Sequence, residues 1–288
     1  MPGETDENRI LKARERALMA INIHAHLGGG QDVDERVAHY RHPEITHTVL
    51  FGDDDKVAEA MRKYPDFVVG FGTIRHGVPA TAEKIREFGD RGFRGVKVIG
   101  LRRPYDDPEL FGMYEAMVEH GLPVLFHTGF LALHPGRGED GSFESMLFMR
   151  PGRLDTLGRA FPDLVMIGAH LGAPWCAEAC SVAWKHRNAY FDLSGGTVKM
   201  YPLAWFRHHF MRASGGGFLR EEGRTPNLEI LTKLVFGTDN PAPETMLEFY
   251  HNFCERMGLD EPTRQAIMTG NAAKILGVDG GDAPETHG

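Results

Sequence analysis

The sequence predicts an α/β protein built as a single-domain (β/α)8 TIM barrel. Short, nearly continuous apolar runs alternate with longer helical patterns from Ala20 onward, as repeated βα units require. Eight such runs occur, and their unbroken apolar character is typical of parallel strands that are buried on both faces. The 288 residues suit one such domain, and no Pro/Gly/Ser-rich linker divides them. A doubly wound open sheet shows the same alternation, but the number of strands favours the barrel.

Each predicted strand is a short run rich in Val, Ile, Leu and Phe. The strands cover residues 20–23, 48–51, 67–71, 95–99, 123–126, 165–168, 189–192 and 234–237. Several of the helices predicted between them begin at Asp, Thr or Pro, which are residues that helix starts prefer. These helices cover residues 54–63, 81–91, 108–119, 151–160, 174–185 and 243–257.

Outside the regular alternation lie two terminal segments and two long irregular ones. Residues 1–19 are predicted to form an N-terminal extension, residues 20–278 the barrel, and residues 279–288 a flexible tail rich in Gly, Asp and Pro. Residues 128–149 and 194–228 each follow a predicted strand. In a barrel, such segments lie over the carboxyl ends of the strands as lids or partner contacts, or they are solvent loops.

The charge balance is acidic, with 32 Lys and Arg against 40 Asp and Glu and a net charge of −8. This balance argues against a wide surface for nucleic acid or anionic membrane. Three cysteines do not support a disulfide framework and fit a reducing compartment. The N-terminus is charged throughout, unlike a signal peptide, and no apolar run approaches ~18 residues. The sequence therefore predicts a cytoplasmic protein without nucleic-acid or membrane partners.

Four histidines and one aspartate follow predicted strands at their carboxyl ends. His24 and His26 follow the first strand, His127 the fifth, His170 the sixth and Asp239 the eighth. In a closed barrel, these strand ends all face one cavity. The spacing of His24 and His26 places both imidazoles on one face with Cα atoms ~6 to 7 Å apart, so that both can reach one ion. An isolated member would be interpreted as a structural residue, but the whole set at one rim favours a metal or acid/base site.

Basic side chains near the same strand ends predict a small anionic substrate. Lys97, Arg102 and Arg150 lie on or near these loops, and arginine binds carboxylates through its planar fork. Surface ion pairing of Arg102 and Arg103 with Asp106 and Asp107 is the competing interpretation for at least one of these two arginines. Trp175 follows the sixth strand and is interpreted either as a wall of the substrate pocket or as packing beneath a loop.

Seven short motifs, taken in their order along the chain, resemble the amidohydrolase superfamily. They are IHAH, GVKVIG, VLFHTG, IGAHLG, FDLSG, FGTDNP and GNAAKILG, and together they extend from His24 to Gly277. The resemblance is to the amidohydrolase-2 branch, which contains aminocarboxymuconate semialdehyde decarboxylase and related resorcylate-type decarboxylases and hydrolases. It covers nearly the whole chain and implies a barrel that houses a metal-dependent enzyme.

For the site, the resemblance implies one divalent metal bound by His24, His26, His127 and Asp239. Zn²⁺ is the first choice, with Mn²⁺ or Fe²⁺ as alternatives. His170 would then be a catalytic base, and Asp239 would also accept a proton during catalysis. Lys97 occupies the position where dinuclear relatives carry a carboxylated lysine that bridges two metals, whereas a mononuclear site leaves it unmodified. One related lactonase lineage works without a metal.

Three functions are compatible with this interpretation. The leading hypothesis is hydrolysis of a small carboxylated amide, ester or lactone by a metal-activated water, because a bound metal lowers the pKa of water to ~7. The alternative is nonoxidative decarboxylation of an aromatic or muconate-like acid. The third is a non-catalytic barrel that serves as a binding or assembly protein, which the complete His/Asp set disfavours. A homodimer is the assembly that the resemblance implies.

Overall fold

A computed structural model describes residues 18–132, 136, 138, 141–213 and 223–279 of the chain. Strands and helices alternate along this part, as the sequence predicts. The strands are β1 (Ala20–Leu27), β2 (Ile45–Gly52), β3 (Val68–Gly70), β4 (Gly72–Ile74), β5 (Val96–Val98), β6 (Val124–Phe126), β7 (Met166–Gly168), β8 (Ala189–Asp192), β9 (Met211–Ala213), β10 (Arg224–Pro226) and β11 (Leu234–Val235). Most of the predicted N-terminal extension and tail, at residues 1–17 and 280–288, lies outside the described residues.

The helices lie mostly between the strands. They are α1 (Val33–Tyr40), α2 (Asp54–Lys63), α3 (Ala82–Asp90), α4 (Phe111–Glu119), α5 (Arg153–Ala160), α6 (Cys176–Lys185), α7 (Gly195–Val198), α8 (Leu203–Phe210), α9 (Leu228–Leu231), α10 (Pro243–Arg256), α11 (Glu261–Gln265) and α12 (Asn271–Leu276). The sequence prediction lacks α1, α7, α8, α9, α11 and α12. Helix α1 buries only Val33, Val37 and Tyr40, so its apolar period is too short to stand out from the surrounding sequence.

The strands form two parallel sheets that meet at two seams. One sheet contains β1, β2 and β3, and the other contains β4, β5, β6, β7, β8 and β11 in that order. At the first seam, β3 runs into β4 with only Phe71 between them. At the second, the Ile23 N–H donates to the Phe236 carbonyl at 3.0 Å, and the Asp239 N–H donates to the His24 carbonyl at 2.7 Å. The strands thus follow one another around a ring in chain order, in agreement with the predicted (β/α)8 arrangement.

The strand predicted at residues 67–71 changes partner in the middle and continues farther along the chain. Its first part pairs with β2 and its second part with β5. A Cβ added at Gly70 would stand 2.2 Å from Met61 Sδ of α2, and one at Gly72 would stand 2.4 Å from the Phe88 ring of α3. These helices therefore pack directly on the strand backbone, which only glycine permits.

Two apolar clusters hold the ring of strands together. The smaller cluster includes Ile23, Val49, Leu125 and Ile167, which come from β1, β2, β6 and β7 and are buried. The larger cluster packs the helices against the strands. Because side chains fill the interior of an eight-stranded barrel, polar residues that act together must lie at one end of it.

Parts of the two long segments that the sequence leaves irregular contain regular structure. Residues 194–228 include α7, α8 and the antiparallel pair β9 and β10, and residues 214–222 lie outside the described part. Residues 128–149 include a 3-10 turn at Met146–Met149. In the part of the chain that the structure describes, no helix combines the length and the apolar character needed to cross a membrane.

Candidate metal and catalytic site

The carboxyl ends of β1 and β8 bring a buried histidine against a buried aspartate. His24 and Asp192 are both fully buried, and His24 Nδ1 lies 2.7 Å from Asp192 Oδ2. An ionised carboxylate only accepts hydrogen bonds, so His24 Nδ1 carries the ring proton and donates it, which leaves the lone pair on Nε2. This is the tautomer and the carboxylate support that histidine ligands of metals have.

The surroundings keep the His24 ring neutral and Asp192 ionised. The pKa of His24 is lowered to about 3, first by burial and then by the charge of Lys97, against the raising effect of Asp192. Burial alone would raise the pKa of Asp192, but the neighbouring His24 ring and a hydrogen bond from Ser194 hold it below its usual range. A neutral imidazole can therefore offer its Nε2 lone pair to a cation.

A second histidine and aspartate lie next to this pair, from β1 and from the segment after β11. His26 Nε2 is 2.7 Å from Asp239 Oδ1, and His24 Nε2 is 3.6 Å from the same oxygen. Burial lowers the pKa of His26. Burial also acts to raise the pKa of Asp239, but the hydrogen bond from His26 and the electrostatic interaction with the neighbouring His24 ring bring it well below its usual range. Asp239 is thus an ionised oxygen donor between two neutral imidazoles.

Helix α1 holds the backbone of these residues in place. The Tyr40 hydroxyl accepts a hydrogen bond from the His26 N–H at 3.1 Å and donates one to the Asp239 carbonyl at 2.9 Å. Arg36 Nε donates to the His26 carbonyl at 2.7 Å, and its Nη2 contacts the Tyr40 hydroxyl. Asp239 has a φ of 63°, in the left-handed region that few aspartates occupy. The Tyr40 hydroxyl thus fixes the carbonyl of a residue in an uncommon backbone conformation.

His170 enters the site from the turn after β7. It has a φ of 59°, so its backbone is also left-handed, and its N–H donates to Asp192 Oδ1 at 2.8 Å. His170 Nδ1 lies 3.1 Å from the Ser194 carbonyl, which can only accept, so Nδ1 carries the proton and Nε2 is the basic nitrogen. The His170 and His24 ring centroids are 5.1 Å apart. This arrangement agrees with a base that stands beside a metal site.

Lys97 lies beneath the site on β5. Its side chain is fully buried, with Nζ 3.5 Å from His24 Nε2 and 4.8 Å from the centroid of the Phe51 ring. Burial lowers the pKa of Lys97 to about 8, against the raising effect of Asp192 and Asp239. Lys97 therefore contacts the predicted metal ligand His24 rather than a loop at the mouth of the barrel.

His127 follows β6 at the same end of the barrel. Its Nε2 lies 2.6 Å from the Phe130 carbonyl, and its ring centroid is 5.0 Å from that of His170. Burial lowers the pKa of His127 well below its usual value. The ring is thus neutral and next to His170, with one nitrogen engaged by a main-chain carbonyl.

Two overlapping sets of three side chains have ligand atoms within 4.8 Å of one another among the described residues. One set is His24, His26 and Asp239, and the other is His24, His170 and Asp192. In the second set, His24 Nδ1 and His170 Nδ1 each lie 3.1 Å from Ser194 Oγ, so these atoms already share hydrogen bonds. The first set fits a divalent cation, because two imidazole nitrogens and one carboxylate oxygen are typical zinc ligands and the cation would replace the proton between His26 and Asp239.

A cavity of about 290 Å³ opens over these groups. Its lining includes four of the five predicted metal or catalytic residues, namely His26, His127, His170 and Asp239. The fifth, His24, lies fully buried under them. The structure therefore places all five residues at one end of the barrel, and the volume suits a small molecule.

The four predicted substrate residues are placed differently from one another. Lys97 lies beneath the site, whereas Arg102 lines a separate cavity of about 790 Å³. Asp106 accepts a hydrogen bond from Arg153 at 2.8 Å, and no contact between Asp106 and Arg102 occurs among the described residues. Arg103 lies 3.7 Å from Asp107, so the competing interpretation of surface pairing holds for Arg103, whereas Arg102 has no such pair among the described residues.

Arg150 and Trp175 form a small cluster of their own. The Arg150 guanidinium contacts Glu178 and lies 5.0 Å from the centroid of the Trp175 ring. Neither Arg150 nor Trp175 is among the described residues that line the 290 Å³ cavity, the 790 Å³ cavity or a third cavity of about 480 Å³. Because the first turn of α6 supplies the Glu178 carboxylate, Arg150 is satisfied within the fold, and the structure does not bring this pair to the predicted substrate site.

Sequence reasoning missed three residues that support the site. Asp192 and Ser194 lie in the FDLSG motif directly after a predicted strand, so the rule used for the histidines could have identified them. Tyr40 gives no such signal. It lies at the end of α1, and only the three-dimensional arrangement shows that its hydroxyl reaches the Asp239 carbonyl.

A family profile described as amidohydrolase matches residues 27–278. A comparison with curated proteins gave no significant match.

Several solved structures share the fold. An uncharacterised TIM-barrel protein from Bordetella bronchiseptica has 23% identity and a TM-score of 0.60, over 85% of this chain and 81% of its own. A probable 2-pyrone-4,6-dicarboxylic acid hydrolase from Acinetobacter baumannii, with citric acid bound, has 16% identity and a TM-score of 0.56, over 90% and 99%. The 5-carboxyvanillate decarboxylase from Novosphingobium aromaticivorans, solved with manganese, has 13% identity and a TM-score of 0.56, over 92% and 97%. At these identities the likeness supports the barrel fold alone.

Proposed function

The chain belongs to the amidohydrolase family, and on that premise we propose that it is a metal-dependent hydrolase of a small carboxylated amide, ester or lactone. The single observation that carries this proposal is the position of the His24 ring between the carboxylates of Asp192 and Asp239. Its Nδ1 donates to the buried carboxylate of Asp192 at 2.7 Å, and its Nε2 lies 3.6 Å from Asp239 Oδ1. A ring held in this way presents a lone pair toward a second carboxylate, which is an arrangement suited to a cation.

Within this proposal, His24, His26 and Asp239 hold one divalent metal, with His127 as a fourth ligand that must first leave the Phe130 carbonyl. Zn²⁺ is the first choice because of the imidazole ligands, and Mn²⁺ and Fe²⁺ are the alternatives. A bound divalent cation supplies Lewis acidity, which lowers the pKa of a bound water to ~7.

Protein side chains supply the proton transfers. Asp239 has an ionised carboxylate at the mouth of the cavity, so it accepts a proton from the attacking water. Water adds to the carbonyl carbon, the C–N or C–O bond breaks, and the proton from Asp239 passes to the leaving atom. His170 Nε2 accepts a hydrogen bond from the water and orients it, because its Nδ1 already donates to the Ser194 carbonyl.

Nonoxidative decarboxylation is the second candidate. The observation that favours it is the match in fold to a 5-carboxyvanillate decarboxylase over 92% of this chain. In that reaction the C–C bond to the carboxyl group breaks, carbon dioxide leaves, and a proton is added to the carbon. Asp239 or His170 would deliver that proton.

Assays of the two reactions separate these candidates. The protein is incubated with Zn²⁺ or Mn²⁺ and with panels of carboxylated amides, esters and lactones, and release of acid is followed. Dihydroxybenzoates and 5-carboxyvanillate are assayed in parallel for carbon dioxide release. We expect metal-dependent hydrolysis that His26→Ala abolishes. Carbon dioxide release without hydrolysis would overturn the first candidate in favour of the second.

A further inference from the structure

We propose that Arg75 and Arg102 form a second anion-binding subsite, away from the His/Asp site, and that it binds the distal carboxylate of an elongated dicarboxylic substrate. This inference rests on the proposed function, since it extends the substrate from the reacting group to a remote anion. Both arginines line a cavity of about 790 Å³. Arg75 follows β4 and Arg102 follows β5, so neighbouring strands present them at the same end of the barrel.

Adjoining cavities connect this subsite to the His/Asp site. A cavity of about 480 Å³ lies between the other two. It shares His26, Ile99 and Leu131 with the 290 Å³ cavity over the site. It shares Arg75 and His76 with the 790 Å³ cavity. The shared lining residues place the three cavities next to one another, in the order that an extended molecule with one end at His26 and the other at the arginines would need.

Among the described residues, the half-buried Arg102 guanidinium lacks a partner for two of its three nitrogens. Its Nε and Nη1 are inaccessible to solvent and have no hydrogen-bond acceptor. Arginine remains charged at any pH at which proteins are folded, so burial cannot remove the charge. A buried charge without a counter-ion is costly, and an anion in the adjoining cavity would relieve that cost.

The charges that line the 790 Å³ cavity do not balance. Its described lining includes one carboxylate, Glu109, and Arg103 contacts it. Arg103 also lies 3.7 Å from Asp107. Arg75 has no ion pair with any carboxylate of the described residues and is exposed toward the cavity. Among the described residues that line this cavity, Arg75 and Arg102 are therefore cations that no described carboxylate pairs, which favours an anion.

In the described lining of the middle cavity, two carboxylates outnumber the one guanidinium of Arg75. Asp53 and Glu144 line it, and Asp53 accepts hydrogen bonds from the start of α2. An anionic group would be repelled at that point, so the middle of the substrate is neutral. The outer cavity also has apolar lining from Val78, Leu101 and Leu110. Together these features specify a neutral chain or ring that ends in a carboxylate at the arginines.

Calorimetric titration of the full-length protein with two dicarboxylates tests the subsite. Azelate is long and malonate is short, so the proposal predicts that only azelate spans the His/Asp site and the arginines. We expect Arg102→Gln and Arg75→Gln each to weaken azelate binding about tenfold or more, with malonate binding unchanged. Arg187→Gln is the matched control, because Arg187 is an exposed arginine whose partner is Asp163. It should leave the affinity for both dicarboxylates unchanged.

Thermal unfolding provides a second measurement that a merely structural role for Arg102 would not satisfy. Without ligand, Arg102→Gln should unfold at the same temperature as the wild type or higher, because it removes a buried charge without a counter-ion. Azelate should raise the unfolding temperature of the wild type more than that of the variant.

Azelate affinity that is equal in the wild type and in Arg102→Gln would overturn the subsite, as would the absence of azelate binding to the wild type. A loss of azelate and malonate binding alike would also overturn it, because the effect would then lie at the His/Asp site. If the protein holds no metal and hydrolyses nothing, but azelate binding still depends on both arginines, the proposed function fails and the subsite stands.

Discussion

At the scale of single residues, the site depends on which nitrogen of each histidine carries a proton. His24 donates from Nδ1 to Asp192, so its Nε2 lone pair points toward Asp239. His170 donates from Nδ1 to the Ser194 carbonyl, so its Nε2 is the base. Both histidines thus carry the ring proton on Nδ1, but they take different roles because Nδ1 of His24 donates to a buried carboxylate and Nδ1 of His170 donates to a main-chain carbonyl.

Asp192→Asn tests the support that Asp192 gives to His24. The amide keeps the shape of the side chain but removes its charge, so the His24 ring becomes less basic and less firmly oriented. We expect metal affinity to fall about 10- to 100-fold, measured by competition with a fluorescent chelator. Asp155→Asn is the matched control, because Asp155 lies 2.7 Å from His186 Nε2 away from this site. Equal affinities in wild type and Asp192→Asn would contradict the assigned role.

His170→Ala separates catalysis from metal binding. His170 lines the cavity but lies outside the set of His24, His26 and Asp239 that fits the cation. We expect this variant to bind metal as the wild type does and to lose about 100-fold or more in turnover. His26→Ala should lose both. Metal analysis and initial rates on the same preparations make the comparison, and loss of metal in His170→Ala would show that His170 is a ligand.

At the scale of elements, α1 acts as a clamp on β1 and on the segment after β11. The helix is held through Tyr40 and Arg36, which bind main-chain atoms of His26 and Asp239. Main-chain contacts position two site residues without occupying their side chains. The same ends of β1 and β11 are joined by a hydrogen bond from Asn22 to Thr238 Oγ1 at 3.0 Å.

Tyr40→Phe removes the hydroxyl of this clamp while keeping the ring. The His26 N–H and the Asp239 carbonyl each lose a partner in a buried setting, so the free energy of unfolding should fall by about 1–3 kcal/mol. Urea denaturation measures it, and metal affinity should fall in parallel. Tyr64→Phe is the control, since its hydroxyl donates to Asp34 at the surface. If Tyr40→Phe weakens neither stability nor metal binding relative to Tyr64→Phe, the clamp has no role.

Gly72→Ala tests the packing of α3 on β4. The added Cβ would lie 2.4 Å from the Phe88 ring, so the helix must shift or the ring must leave its rotamer. We expect a loss of about 1–3 kcal/mol in the free energy of unfolding. Gly112→Ala in α4 is the control, because a Cβ there meets nothing within 4 Å and alanine favours helix. An unchanged free energy of unfolding in Gly72→Ala would show that the helix does not pack so closely.

At the scale of the whole molecule, the sequence was sufficient to predict the ring of parallel strands and the end of the barrel that carries the histidines. The apolar runs are long enough to identify each strand, and strand order then brings His24 and Asp239 together. The change of partner within the strand predicted at residues 67–71 could not be predicted, because it depends on the packing of two helices against Gly70 and Gly72.

The predicted substrate residues illustrate a different limit. A basic residue near a strand end is easily identified in the sequence, but its partner comes from elsewhere in the chain. Arg150 has Glu178 of α6, whereas Arg102 has no acceptor for Nε and Nη1. Only the packed structure distinguishes a satisfied guanidinium from one that needs a ligand.

Metal content is the most direct measurement of the central claim that His24, His26 and Asp239 hold one cation. The protein is dialysed against Zn²⁺ or Mn²⁺, separated from unbound ions and analysed by mass spectrometry of the elements. We expect about one ion per chain in the wild type and almost none in His26→Ala. Less than about a tenth of an ion per wild-type chain, or equal content in the two proteins, would contradict the account.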